Sequence, residues 1–158
     1  MFRIVKVAAL VAGAMIVASG ASQAQTIYGH ENSNLTRANT AMMAGDFESA
    51  SKYFGRAVKA NLGEERLVPA LNNYCAVEYA LGRYENAEEV CSIAIGEDRR
   101  YWRAFVNRGN ARSALGKLEE AKADFERAID INPKSKIANS ALISFQAKNG
   151  TLLAEAGR

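Results

Sequence analysis

Histidine is almost missing from this 158-residue chain, and its one copy, His30, stands close to the N-terminus. A lone imidazole assembles neither a histidine-based metal set nor a base paired with a nucleophile. No glycine-rich phosphate loop and no serine nucleophile motif is present either. No catalytic residue, no metal ligand and no cofactor is therefore assigned. Proline is also scarce, with two copies, and no stretch is of low complexity. Alanine and leucine are plentiful, and such side chains lose little freedom in a helix, so an all-α domain is expected. Charge of one sign is lacking as well.

Only one long apolar run exists, Val7 to Ala18, and it follows Arg3 and Lys6. It is shorter than the ~20 residues a spanning helix needs. Ser22-Gln23-Ala24 then offers the small residues a signal peptidase reads, so residues 1–24 are expected to be a cleaved signal peptide, with an uncleaved anchor as the alternative. The product is expected to be periplasmic or secreted, without stable membrane insertion after cleavage, and the absence of a nearby cysteine argues against lipoprotein processing. Removing Arg3 and Lys6 from the 20 basic residues leaves 18 against 17 acidic ones, a net charge of about +1. So weak a field supports no nucleic-acid partner.

Three segments repeat. Residues 44–60, 81–97 and 115–131 align so that Gly45, Gly82 and Gly116 recur 37 and then 34 residues apart, with Ala50, Ala87 and Ala121 and then Ala57, Ala94 and Ala128 in the same register. Each glycine follows one apolar-periodic stretch and precedes another, the place where a left-handed C-cap lets the chain reverse. Stacked helical hairpins are the expectation.

The pattern resembles the tetratricopeptide repeat. Gly109, Ala121, Phe125 and Pro133 match it in the third copy, Ala38, Ala50 and Phe54 in the first, and Cys75, Ala87 and Ala94 in the second, where Cys91 replaces the aromatic residue. Asn34, Leu71 and Phe105 stand in place of the usual Trp, and Arg37 and Arg108 in place of Leu. The resemblance implies an all-α solenoid of three helix pairs over 31–149, with repeats at about 31–64, 68–101 and 102–135. Pro69 is expected in a first helical turn, and a capping helix at about 134–148 is expected to end at Asn149-Gly150. Residues 25–30 are expected to be a flexible segment and 150–158 a loose tail.

On the family alignment Cys75 and Cys91 face each other across the middle hairpin. A disulfide between them and a pair of buried reduced thiols both remain open. Glu88-Glu89 and Glu119-Glu120 read as a solvated face, because helical neighbours do not converge. Arg99, Arg100, Arg103, Arg108 and Arg112 form the one basic cluster, open to acidic side chains of the chain itself or to an anionic partner.

Domains of this family bind peptides or partner proteins along their first helices, which implies a non-catalytic interaction module, an envelope adaptor or assembly factor. A self-associating solenoid and an accessory subunit of an envelope enzyme are the alternatives, so a homo-oligomer stays open. The alignment places Leu35, Asn39, Met42, Asn72, Asn73, Ala76, Tyr79, Arg103, Val106, Asn107 and Asn110 on the concave side. Asn39, Asn72, Asn73, Tyr79, Arg103, Asn107 and Asn110 are the expected peptide-binding residues, since an amide matches both the C=O and the N–H of an extended backbone. Asn39, Asn73 and Arg103 also match a carboxylate clamp of some family members, in which Leu35 and Asn107 here replace basic residues.

Overall fold

The structure, a computed structural model, describes residues 32–60 and 62–156. The signal peptide expected over 1–24 and the segment 25–30 lie outside them. The described residues form seven α-helices and no strand: α1 (Ser33–Met43), α2 (Phe47–Val58), α3 (Glu64–Ala80), α4 (Tyr84–Glu97), α5 (Trp102–Ala114), α6 (Leu118–Ile131) and α7 (Lys136–Ala156). None is long and apolar enough to cross a membrane. Every helix packs on the next, and α3 also meets α5 while α5 meets α7. This is an all-α solenoid of three helical hairpins, with α7 packed against both helices of the last one.

The hairpins close alike. Gly45, Gly82 and Gly116 hold φ values of 77, 74 and 76°, where an L side chain is strained. Each glycine N–H bonds the carbonyl three residues back, and the next N–H, of Asp46, Arg83 or Lys117, reaches the one five back. This paired closure satisfies carbonyls that a helix end leaves open. Asn32 caps α1 by accepting from Asn34 and Leu35, and Asp46 caps α2 by accepting from Ser49 at 3.0 Å.

In the first and third hairpins a small residue of the first helix, Ala38 or Gly109, packs with a ring of the second, Phe54 or Phe125. Ala38 and Phe54 share one apolar cluster, and Phe125 with Ala121 and Ala128 builds another. In the middle hairpin Cys75 and Cys91, both fully buried, are joined by a disulfide with their Cα atoms 5.4 Å apart. Burying rings such as Phe54 and Phe125 stabilises the fold by about 1.5–3 kcal/mol each.

Three sequence expectations need correction. α3 starts at Glu64, so Pro69 lies inside the helix rather than in its first turn. Gly63, at φ 72°, starts the helix early by offering its carbonyl to Arg66 and Leu67, while Leu62 is buried beside it. Glu65 and Pro69 are both exposed, so water can replace the helical bond that proline lacks. α7 does not stop at Asn149-Gly150 but continues to Ala156. Asn149 turns its amide back onto the Phe145 carbonyl at 3.0 Å, inside the helix, and one glycine costs a helix only about 1 kcal/mol. Glu88 is not on a solvated face. Its carboxylate is largely buried and takes Arg112 Nε at 2.9 Å and Lys117 Nζ at 2.6 Å.

Candidate functional site

The side of the solenoid built by the first helices carries the amides. Asn107 on α5 donates from Nδ2 to Asn72 Oδ1 on α3 at 3.0 Å, and Asn72 Nδ2 makes a longer bond of 3.4 Å to Asn73 Oδ1. Asn72 is buried, while Asn73 and Asn107 are half-buried. A chain of amides linked in one sense has unlike ends. Among the described residues, neither hydrogen of Asn73 Nδ2 at α3 and no lone pair of Asn107 Oδ1 at α5 has a partner. The wall thus presents a donor and, one helix away, an acceptor.

The other expected residues spread around this ladder. Asn39 on α1 and Asn110 on α5 are half-buried and bond no other side chain among the described residues. Tyr79 is 40% exposed, stands 5.5 Å from the Tyr84 ring, and lines a recess together with Asn110. Arg103 is exposed, with its guanidinium 4.4 Å above the Trp102 ring, an attraction worth about 0.5–1 kcal/mol at such a site. The structure therefore joins Asn72, Asn73 and Asn107 directly and Tyr79 with Asn110 through the recess. Among the described residues, no hydrogen bond or ion pair links Asn39 or Arg103 to either group.

Two of the clustered arginines are committed to the fold. Arg108 makes a two-pronged pair with Asp124, at 3.0 and 2.7 Å, and donates to Ser92 at 3.2 Å. Arg112 bridges Asp124 and Glu88, each at 2.9 Å. Burial opposes ionisation of Glu88, yet the hydrogen bonds and charges of Lys117 and Arg112 together outweigh it, and its pKa lies below the ordinary value. A second buried carboxylate, Glu78 at 1% exposure, accepts from Ser51 and Asn86 with Arg83 3.8 Å away. Burial, with the Glu78 charge adding to it, pushes the neighbouring Tyr74 phenol up. These networks lock repeat to repeat and keep Glu78, Glu88 and Asp124 partnered within the fold.

Sequence reasoning missed the contribution of α7. Ile137, Ser140, Ala141 and Ser144 face Val106 and Asn110 of α5 across a trough of about 470 Å³. The i, i+4 spacing of Lys136, Ser140, Ser144 and Lys148 is the signal that was available.

Comparison with known proteins follows the same outline. Family models described as tetratricopeptide repeat match residues 35–103 and 102–135. The chain is 39% identical over 70 residues to human RNA polymerase II-associated protein 3, covering 44% of this chain and 10% of that protein. It is 31% identical over 104 residues to the mouse FK506-binding protein-like, covering 63% and 30%. It thus spans a tenth to a third of these relatives' length. Among solved structures, the second TPR domain of human RPAP3 in complex with the HSP70 peptide SGPTIEEVD is 32% identical, with a TM-score of 0.65 over 72% of this chain and 92% of that one. The first TPR of Spaghetti (RPAP3) bound to the HSP90 peptide SRMEEVD is 26% identical, with a TM-score of 0.66 over 74% and 90%.

Proposed function

The chain belongs to the tetratricopeptide-repeat family, and from that premise we propose that it is a non-catalytic adaptor of the cell envelope, holding an extended peptide of a partner protein along its first helices. The observation that carries this reading is the one-directional amide ladder from Asn107 through Asn72 to Asn73. An extended peptide alternates C=O and N–H groups. Asn73 donates to a peptide carbonyl, Asn107 accepts from a peptide N–H, and buried Asn72 fixes which end does which. Asn39 and Asn110 extend the row, Tyr79 adds apolar contact, and Arg103 on its Trp102 base meets a carboxylate. Two similar domains are described with bound peptides, SGPTIEEVD and SRMEEVD, which supports the same use here.

The envelope location rests on the leader expected over residues 1–24. A buried disulfide suits the same oxidising compartment. An intact mass of the exported protein tests this directly: cleavage after Ala24 is expected, and a full-length chain in the cytoplasm would refute it.

A synthetic peptide array that includes SGPTIEEVD, probed with the labelled protein, tests the binding. Asn73→Ala with Asn107→Ala is expected to empty most of the spots the parent protein fills. Stability should fall only by what buried Asn72 loses with its donor Asn107 and its acceptor Asn73, about 1–3 kcal/mol. Undiminished capture by the folded double variant would refute the reading.

A further inference from the structure

Between α5 and α7 the trough of about 470 Å³ runs into a second recess of about 200 Å³, and the two share Asn110, Ala141 and Ser144. The second recess reaches Phe125 and Phe145, whose rings lie 5.3 Å apart. A void of about 150 Å³ already holds a benzene ring, so this one has room for a branched aliphatic side chain. Ile137, at the other end of the trough, is 60% exposed.

The charged residues that line this groove have one sign. Lys136 lines its first part and Lys148 its second, and neither makes an ion pair among the described residues. Arg103 lies one turn before Asn107 on α5. Helices α1 and α5 contain no Asp or Glu, and α7 contains none from Lys136 to Asn149. Two acids on neighbouring helices, Glu78 on α3 and Asp124 on α6, are buried and already partnered.

Lys136, Ser140, Ser144 and Lys148 follow one another at i+4. The two lysines are therefore about 18 Å apart along the helix, a span that about five extended residues cover. We propose that this groove is the specificity-determining part of the binding face and takes an acidic segment of the partner peptide. In it, two carboxylates about five residues apart meet Lys136 and Lys148, and an aliphatic side chain between them enters the recess over Phe125 and Phe145. Ser140 and Ser144 supply hydroxyls to the backbone between. The inference rests on the first helices being the binding face, and it adds α7 and the chemistry of the ligand.

The probe is a fluorescein-labelled, C-terminally amidated decapeptide with two glutamates five residues apart bracketing an isoleucine, so that no terminal carboxylate contributes. Fluorescence anisotropy at low ionic strength reads its affinity. Lys136→Glu with Lys148→Glu is expected to weaken binding about tenfold, because each reversal removes one attraction between exposed charges and adds one repulsion. The same variant should gain affinity for the decapeptide carrying lysines in place of the glutamates, a rescue that unfolding cannot produce. Ser144→Trp fills the recess and should make the isoleucine peptide and its serine counterpart bind alike.

Loss of binding in Asn73→Ala with Asn107→Ala, but not in the double lysine reversal, overturns this inference and leaves the amide reading standing. Equal affinity of the parent protein for the glutamate and lysine peptides overturns it too, as does no binding of either. Binding that ignores both double variants overturns both readings.

Discussion

At the scale of single residues, one packing problem is solved three ways. The space between the two helices of a hairpin is filled by Ala38 against Phe54, by the Cys75–Cys91 disulfide, and by Gly109 against Phe125. Gly109 has the least latitude, because a Cβ there would lie 2.9 Å from Phe125 Cε1. Alanine should improve helix propensity by about 1 kcal/mol. Against this, the buried ring must move, and overpacking costs about 1–3 kcal/mol. Phe125 has almost no exposed surface and Phe145 beside it, so the clash wins. Gly109→Ala is expected to lower stability by about 1 kcal/mol in urea unfolding, and Phe125→Leu added to it should recover part of the loss. A variant as stable as the parent would mean that the ring has room to yield.

At the scale of helices, ion pairs replace apolar contacts between the second and third repeats. Arg108 stands where the family usually has leucine; Asp124 answers its charge, Ser92 accepts from it, and Asp124 and Glu88 together hold Arg112 in the same connected set. Glu88 has a depressed folded pKa, so folding favours its ionised form. Its share of stability is present above the unfolded carboxyl value of about 4.3 and disappears as pH falls through the folded value. Melting curves from pH 7 down to 2 should show the parent more stable than Glu88→Gln at neutral pH and the two converging in acid. A gap that persists at pH 2 would assign the effect to packing instead. The hairpins and their glycine turns were legible in sequence because period and C-cap chemistry are local. Glu88 was not, since its partners lie 24 and 29 residues away, and neither was the start of α3 or the end of α7, where Gly63 and Asn149 work through contacts that propensity does not encode. Of the candidate site, the asparagines stood out as poor helix formers. Their linkage, and the fact that the lysine–serine stripe of α7 faces α5, needed the relative rotation of α3, α5 and α7.

At the scale of the whole molecule, a solenoid of three hairpins has few interfaces, and its stability is close to the sum of its repeats and their junctions. The middle repeat contacts both neighbours, so whatever loosens it uncouples the ends. Its disulfide closes a loop with a sequence separation of 16, for which chain entropy gives about 3 kcal/mol. Domains of this size are stable by only about 5–15 kcal/mol in total. Each kilocalorie shifts melting by several degrees, so reduction should lower the melting temperature by about 10 °C or more. Cys75→Ala with Cys91→Ala should melt near the reduced protein and ignore reductant altogether. The same difference bears on location, because a chain kept in a reducing cytosol would lack this staple at working temperature, whereas an exported one would acquire it. Protein recovered from the envelope and alkylated without reductant is expected to show both thiols blocked from reaction. Two freely alkylated cysteines in that material, or equal melting with and without reductant, would remove the bridge from the account of how this solenoid stays together.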